Sequence, residues 1–212
     1  MEKFGLQAAV LRAYTHMVYR SAYGGMARFA YGAQDSLSAL DCTHAGCILL
    51  RRGLDCGLQL RRARALGLTL NDPVRSQPLR LALAGGDQIE TQILVDASGA
   101  AQWTVRRLGV PGSKYTSLCY GERLSGCQID KPETFAFLAP HQRYGSGGGW
   151  FYPLEDGAAS FGYSIVVPNT GASATRGNAW RYQTAKREFQ PYAHQVLGAR
   201  VDSIEGGAVP VG

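Results

Sequence analysis

The sequence predicts a mixed α/β fold (α+β type), in which an α/β layer is followed by an antiparallel β-sheet. Three observations predict this class. Helical and strand periodicities alternate before Pro111, an apolar run ends at Val95, and short aromatic strands separated by turn residues follow Pro111. A chain of 212 residues has room for one large domain or two small ones, and its 27 glycines indicate many turns.

The part of the chain before residue 70 is expected to contain two helices and one strand. Apolar side chains at helical spacing predict a short helix over residues 1–14. The aromatic stretch that follows predicts either a strand pair or an ordered loop. Residues 47–52 predict a short apolar strand, and residues 53–67 predict a helix that ends at its C-terminal glycine, Gly67.

A hairpin and a buried strand are expected next. The alternating segment 79–84, the turn Gly85–Asp87 and the returning segment 88–95 predict a β-hairpin. The returning segment ends in the continuous apolar run Ile93–Val95, which predicts a strand buried on both faces, as in a parallel sheet covered by helices. Residues 100–109 then predict a short helix with its arginines facing outward.

Beyond Pro111 the pattern is typical of an antiparallel sheet. The apolar stretches are short and aromatic, and Gly, Pro and Asp separate them. A helix is expected over residues 178–198, with a kink or break at Pro191. The four predicted strands cover residues 117–129, 134–139, 149–154 and 159–167.

Composition and charge narrow the class of protein. No apolar run reaches the roughly 18 residues that a membrane-spanning helix needs, so we expect a soluble, cytoplasmic protein. The net charge is +6 and basic residues are densest between Arg51 and Arg64, but no zinc-finger spacing or RNA-binding motif accompanies them. A solvated helix face is therefore favoured over a nucleic-acid surface. The odd number of cysteines, five, predicts reduced thiols, and Cys42, His44 and Cys47 lack the second ligand pair of a structural zinc site.

The residues that follow the predicted strand at 93–95 are the strongest candidates for ligand binding. They are Asp96, Ala97, Ser98 and Gly99. A carboxylate can accept hydrogen bonds from a ribose, and small residues let a ligand approach the backbone closely. Ligands of open α/β sheets lie just past the carboxyl ends of strands. The alternative interpretation is an ordinary strand-to-helix turn, in which Ser98 caps the helix.

This stretch is the middle one of three short motifs. The first opens a predicted helix, the second closes the predicted strand and continues into a basic segment, and the third is aromatic. The motif residues are Arg51, Leu54 and Asp55; Asp96–Gly99 with Arg106–Gly109; and Trp150, Tyr152, Pro153 and Gly162.

In this order and spacing the motifs resemble those of FAD-dependent oxidoreductases of the p-hydroxybenzoate hydroxylase-like fold. More narrowly, they resemble the geranylgeranyl reductase and flavin-dependent halogenase branches. The resemblance implies a partial FAD-binding Rossmann-like layer over residues 1–112, with a short excursion to the substrate sheet near 18–46. It implies an antiparallel-sheet substrate domain over 113–205. It also implies that residues 206–212 begin the return to the FAD domain, before the second flavin motif.

The resemblance also implies a function and a set of roles. The function is that of an oxidoreductase of the reductase, monooxygenase or halogenase type, with a small apolar or aromatic substrate and NAD(P)H as a candidate electron donor. Plain sheet core is the alternative interpretation of the aromatic residues. The implied contacts are Arg51 at the FAD adenosine or pyrophosphate; Asp96, Ala97, Ser98 and Gly99 at its adenine and ribose end; and Trp150, Phe151, Tyr152 and Pro153 in one wall of a substrate cavity over the isoalloxazine.

Two departures from the family pattern leave an alternative open. The G-x-G-x-x-G fingerprint that holds the pyrophosphate is absent from the sequence, and so is the Gly-Asp motif of the ribityl side. The resemblance therefore predicts a fragment of such an enzyme. No catalytic residue is assigned, because no histidine has a carboxylate or serine partner at a spacing typical of a catalytic pair. The alternative is a non-catalytic ligand-binding or interaction remnant of a flavoprotein.

Overall fold

Three β-sheets organise the part of the chain that the structure, a computed structural model, describes. The mixed α/β class expected from the sequence is confirmed. No helix in the described ranges is long and apolar enough to cross a membrane. All five cysteines are free thiols. The described residues are 4–21, 23–32, 37–70, 78–139, 146–169, 183, 187 and 192–211.

The largest sheet has seven strands. They are β2 (His16–Ser21), β3 (Met26–Ala30), β8 (Tyr115–Ser125), β9 (Thr134–Ala139), β10 (Gly147–Pro153), β11 (Ala159–Pro168) and β12 (Arg200–Val211). Their order across the sheet is β12-β8-β11-β10-β9-β2-β3. Neighbours are antiparallel except β2 and β9, which run parallel. Strands β8 to β11 confirm the four strands expected beyond Pro111.

The hydrophobic core lies on one face of this sheet, which we call the back face. Side chains on the back face alternate with those of the opposite, front face, as the pleat requires. The helix α3 (Tyr192–Val196) covers part of the back face and confirms a helix near the end of the predicted range 178–198. Residues 178–182, 184–186 and 188–191 of that range lie outside the described residues. The core side chains are Leu124, Ala136, Leu138, Phe151, Ala159, Phe161, Tyr163, Ile165 and Val196.

The helix expected over residues 1–14 is wrong. The chain makes a 3-10 turn at Leu6–Ala9 and then the strand β1 (Val10–Tyr14), which pairs antiparallel with β4 (Leu37–Leu40). The last residue of β1, Tyr14, is buried, and its hydroxyl donates a hydrogen bond of 2.6 Å to the carbonyl oxygen of Pro153. These long-range contacts outweigh a helical spacing of apolar residues that is a weak local preference.

The strand expected at residues 47–52 is also wrong, because these residues lie within the helix α1 (Cys42–Asp55). Asp41 caps this helix: its side chain accepts a hydrogen bond of 2.9 Å from the His44 backbone N–H. An aspartate at this position satisfies one of the unpaired amides of the first helical turn. The cap lies before residues 47–52, and the helix that it starts continues through them.

The helix expected over residues 53–67 is wrong in its extent. Helix α1 ends at Asp55, and Gly57 follows with a φ of 90°. The Leu58 N–H then donates to the Gly53 carbonyl oxygen over 2.8 Å, which is the closing bond of a glycine-terminated helix. The glycine that ends the helix is therefore Gly57 and not Gly67.

A three-stranded antiparallel sheet follows. It consists of β5 (Ala65–Thr69), β6 (Leu79–Leu83) and β7 (Gln88–Thr91). The hairpin of β6 and β7 confirms the expected turn at Gly85–Asp87, where both glycines have positive φ and the Leu83 N–H donates to the Asp87 carbonyl oxygen. Strand β5 occupies a segment that was expected to be helical.

The buried strand expected at Ile93–Val95 is wrong. Strand β7 ends at Thr91, and residues 93–95 pair with no strand in the described part of the chain. Ile93 and Val95 are 77% and 82% exposed. A strand buried on both faces needs neighbours for its backbone N–H and C=O groups, and apolar side chains alone do not supply them. The short helix expected next is confirmed as α2 (Trp103–Arg107).

Candidate functional site

The front face of the seven-stranded sheet carries a cluster of aromatic rings. Phe135, Phe137, Trp150 and Tyr152 lie on neighbouring strands β9 and β10. The ring centroids of Phe135 and Tyr152 are 5.7 Å apart, and those of Trp150 and Tyr152 are 6.5 Å apart. Trp150 and Tyr152 are only half-buried, so part of this aromatic surface is open to a ligand.

The four residues expected to form one substrate wall divide between the two faces of the sheet. Trp150 and Tyr152 lie on the front face, as alternate residues of β10. Phe151 points to the back face, where it is fully buried in the core. Pro153 is buried at the end of the strand, and its carbonyl oxygen accepts the Tyr14 hydroxyl.

The Trp150 ring lies flat against the sheet because its neighbour has no side chain. Trp150 is paired with Gly162 of β11, and a Cβ atom at Gly162 would lie 2.0 Å from Trp150 Cζ2. A Cβ at Gly121, on the next strand, would lie 3.0 Å from the same atom. The indole N–H of Trp150 donates to the Ser160 hydroxyl over 3.2 Å. The two motif residues Trp150 and Gly162 are thus brought into direct contact.

Tyr14 and Tyr152, whose ring centroids lie 6.4 Å apart, keep their protons at physiological pH. Burial raises the pKa of Tyr14 above the ordinary range, and burial also raises the pKa of Tyr152. The Tyr14 hydroxyl is committed to the Pro153 carbonyl oxygen. The Tyr152 hydroxyl is available as a neutral hydrogen-bond donor at the aromatic surface.

A cavity of about 550 Å³ lies between the front face, the β1–β4 pair and the start of α1. Trp150, Tyr152 and Ser160 form its wall on the sheet side, and Arg123 and Glu205 also line it. The flat rings suit a planar apolar body, while the two charged side chains suit a polar substituent. The volume is that of a small-molecule site.

Sequence reasoning missed Arg123 and Glu205 as residues of this cavity. Period-2 alternation in β8 places Arg123 on the front face, and the register of β12 against β8 pairs Glu205 with Gly121. Alternation alone could have placed Arg123 on one face of its strand. The long-range register of β12 could not be read from the sequence.

The candidate loop Asp96–Gly99 lies at the start of α2, and its two polar side chains bind the backbone. The Asp96 carboxylate accepts hydrogen bonds from the Ser98 N–H over 2.8 Å and from the Thr104 N–H over 2.7 Å. The Ser98 hydroxyl oxygen accepts the Trp103 N–H over 2.9 Å. Hydrogen bonds from Ser98 and Thr104 hold the pKa of Asp96 well below its usual range. Ser98 and Asp96 thus bind amides at the start of α2, as a capping turn does, but the residue at the N-cap position is Gln102 and not the expected Ser98.

The same loop keeps features that fit a nucleotide. All four residues are exposed, and each Asp96 oxygen retains capacity for a further hydrogen bond. Gly99 has a φ of 60°, and no heavy atom lies within 4 Å of the position that its Cβ would take. Arg51 is exposed on α1, a separate element from the loop. The loop thus presents an open backbone and a carboxylate that is ionised at neutral pH, and no described contact joins it to Arg51.

A second cavity, of about 480 Å³, lies between α2 and the ends of β8, β11 and β12. Ala100, Gln102 and Arg106 line it from the helix side, and Val167 and Pro210 line it from the sheet. None of the loop residues Asp96–Gly99 lines this cavity, whose lining begins at Ala100, the next residue along the chain.

No protein-family model and no curated protein matches the sequence. Solved structures match its fold over almost the whole chain. A geranylgeranyl bacteriochlorophyll reductase-like protein from Thermoplasma acidophilum matches with a TM-score of 0.72 at 13% identity, over 97% of this chain and 52% of that one. The chain therefore shares the fold of about half of this reductase-like protein.

Two halogenases share this fold. CmlS, a flavin-dependent halogenase, matches with a TM-score of 0.70 at 17% identity, over 99% of this chain and 39% of that one. The halogenase PltM, in complex with phloroglucinol and FAD, matches with a TM-score of 0.68 at 11% identity, over 97% of this chain and 45% of that one. The chain thus spans about half the length of the flavoprotein structures that it matches, and at these identities the likeness concerns the fold alone.

Proposed function

We propose that this chain forms the substrate-binding sheet and one side of the FAD site of a FAD-dependent oxidoreductase. Its substrate would be a small apolar or aromatic molecule bound in the front-face cavity. The observation that carries the proposal is the open aromatic wall of Trp150 and Tyr152, on a sheet whose fold is shared with a geranylgeranyl bacteriochlorophyll reductase-like protein and a flavin-dependent halogenase. The complex of PltM with phloroglucinol, an aromatic compound, supports an aromatic substrate.

In this proposal the chain's own residues bind and orient. Trp150 offers a flat surface for ring stacking, held in place by Gly162 and Ser160. The protonated Tyr152 hydroxyl donates to an oxygen of the substrate, and Arg123 holds an anionic or phenolic substituent. FAD, when bound, supplies the redox chemistry, with NAD(P)H proposed as the electron donor.

On the cofactor side, Asp96 would accept a ribose hydroxyl while Ala97 and Gly99 admit the nucleotide to the backbone. Arg51 would pair with the pyrophosphate, to which a guanidinium offers two parallel donors. The proposal includes that the Gly-rich pyrophosphate loop is supplied by a longer flavoprotein of which this chain is part, because no such loop occurs in its sequence. Binding of FAD to this chain by itself is accordingly expected to be weak.

A titration of FAD with the protein, followed by flavin fluorescence anisotropy, tests the cofactor side. Ala97→Glu adds a carboxylate at an exposed loop position without removing the Asp96 or Ser98 caps. It should weaken FAD binding at least about tenfold by repelling the phosphates. Arg62→Gln changes the net charge by the same amount at an exposed position outside the loop and should leave binding within about twofold. Equal effects of both substitutions, or no binding of FAD at all, would contradict the proposal.

A non-catalytic ligand-binding module remains a second candidate, and one observation favours it. Asp96 and Ser98 satisfy the amides at the start of α2 without any ligand, so the loop is complete in the absence of a nucleotide. This candidate predicts that phloroglucinol binds to the Trp150 cavity while FAD does not bind. Binding of FAD that is sensitive to Ala97→Glu would exclude it.

A further inference from the structure

We propose a second ligand site on the back face of the sheet, for a small aromatic carboxylate. It lies in a cavity of about 200 Å³ between the β2–β3 hairpin, the residues that precede β9, and α3. The front-face cavity lies on the opposite side of the sheet, so this site does not depend on the proposed function. Its principal lining residues are Val18, Arg20, Arg28, Lys131, Phe151 and Gln195.

Three basic side chains surround the cavity. In the antiparallel register of β2 and β3, Val18 pairs with Arg28 and Arg20 pairs with Met26, which places both arginines on one face of the hairpin. Lys131 contributes a third positive charge from the segment before β9. A positively charged concave surface raises the local concentration of anions.

One carboxylate also lines the cavity and offsets part of this positive charge. Asp130 faces the cavity, and its Oδ2 lies 3.4 Å from His194 Nε2. When His194 is protonated, it offsets this negative charge. Even with His194 neutral and Arg20 left out of the count, Arg28 and Lys131 outnumber the one carboxylate, so the surface remains positive and favours an anionic ligand.

The floor of the cavity is apolar and aromatic. The buried Phe151 ring lies 5.2 Å from the Tyr192 ring, and both residues line the cavity together with Val18. A planar ring placed on this floor would bury apolar surface and stack against aromatic edges. Inorganic anions have no such apolar surface, so the floor selects a ligand that carries a ring.

A buried amide supplies the directional contact. Gln195 is 5% exposed, and its Oε1 accepts the Asp130 N–H over 3.3 Å. Its side-chain nitrogen makes no hydrogen bond to any residue in the described part of the chain. The nitrogen is not one of the fully buried unpaired polar atoms of the described residues, so it is open to solvent in the cavity, and a carboxylate oxygen there would accept its hydrogen bond in place of water. The cavity thus combines positive charge, a flat apolar floor and an amide donor. This combination favours an aromatic carboxylate as the ligand.

The size of the cavity limits the ligand to about one ring. A volume of about 200 Å³ accommodates a benzoate-sized molecule and excludes a dinucleotide such as FAD. Benzoate, benzamide and benzamidine have nearly the same shape and carry charges of −1, 0 and +1. Isothermal titration calorimetry with these three probes therefore separates recognition of charge from recognition of shape.

The expected result is a charge-ordered series. Benzoate should bind at least about tenfold more tightly than benzamide, and benzamidine should not bind detectably. The double variant Arg28→Gln, Lys131→Gln should weaken benzoate binding about tenfold, as the loss of two partly exposed charge contacts implies. Arg62→Gln, at an exposed position outside the cavity, should leave benzoate affinity within about twofold.

Two further variants locate the bound probe. Gln195→Glu keeps the acceptor for the Asp130 N–H but replaces the amide donor with a negative charge, so it should abolish benzoate binding. Trp150→Phe alters only the front-face cavity and should leave benzoate binding unchanged. Circular dichroism checks that each variant is folded, and the exposed positions Arg28 and Lys131 keep the test open if Gln195→Glu does not fold.

Three results would overturn the proposal. The first is equal affinity for the three probes, and the second is the absence of benzoate binding at millimolar concentrations. The third is benzoate binding that survives the double variant and is lost in Trp150→Phe, which would place the probe in the front-face cavity.

Discussion

Substitution of Gly162 by alanine tests whether the Trp150 ring depends on this glycine. The added Cβ would lie 2.0 Å from Trp150 Cζ2 and 2.3 Å from Cε2, so the indole has to leave its position. Overpacking of this kind costs about 1 to 3 kcal/mol. Loss of the hydrogen bond from Trp150 to Ser160 adds about 1 kcal/mol. The free energy of unfolding should therefore fall by about 2 to 4 kcal/mol.

Urea denaturation followed by circular dichroism measures this change, and Gly207→Ala is the matched control. Gly207 lies on β12 of the same sheet, without positive φ and with no heavy atom within 4 Å of its Cβ position. Its replacement by alanine should raise the free energy of unfolding by less than about 1 kcal/mol. In a Trp150→Ala background, Gly162→Ala should cost less than about 1 kcal/mol, because the clashing ring is gone.

Two outcomes would refute the reasoning. One is a Gly162→Ala protein as stable as Gly207→Ala within about 0.5 kcal/mol. The other is an unchanged cost of Gly162→Ala in the Trp150→Ala background, since the strain would then come from the backbone and not from the indole.

Three other substitutions test the local contacts of the fold. Asp41→Ala removes the cap of α1 and should lower the free energy of unfolding by about 1 kcal/mol in urea denaturation; no change would mean that the cap is not formed. Tyr14→Phe leaves the buried Pro153 carbonyl without its donor and should cost about 1 to 3 kcal/mol in the same assay, whereas a neutral effect would contradict the 2.6 Å bond. The lowered pKa of Asp96 means that its contribution to the α2 turn is complete above the unfolded pKa of about 4 and is lost as the pH falls below that value. In the folded wild type the Thr104 amide resonance should titrate with the lowered pKa of Asp96, well below its ordinary value, and Asp96→Asn should show no such transition; identical pH profiles would contradict it.

The antiparallel sheet could be predicted because its signals are local. Strands β8 to β11 are short aromatic stretches bounded by Gly, Pro and Asp, and the β6–β7 hairpin is marked by Gly85 and Gly86. The pairing of Trp150 with Gly162 follows once β10 and β11 are joined as a hairpin. What the sequence does not show is that β2 inserts beside β9 in parallel, because the two segments are far apart along the chain.

The errors arose where long-range pairing or a cap decides the conformation. The apolar run after Cys47 has strand-like composition, yet the cap at Asp41 starts a helix before it. Residues 93–95 have the composition of a buried strand, but strand formation requires a partner, and none pairs with them in the described part of the chain.

The candidate site was predictable in part. The loop at Asp96–Gly99 and the ring of Trp150 were found from their motifs. The charged residues of the cavity, Arg123 and Glu205, come together only through the register of β12 against β8, which no local pattern sets. Phe151 belongs to the back face because side chains alternate along a strand, and this could have been anticipated from the placement of Trp150.

The most direct test of the proposed flavoprotein role is an NMR titration of the isotope-labelled chain, first with FAD and then with phloroglucinol. FAD should shift the amide resonances of Ala97, Ser98 and Gly99, and phloroglucinol should shift the indole N–H resonance of Trp150. If millimolar FAD leaves the loop amides unmoved, the flavoprotein role is contradicted, whether or not phloroglucinol shifts the Trp150 indole resonance.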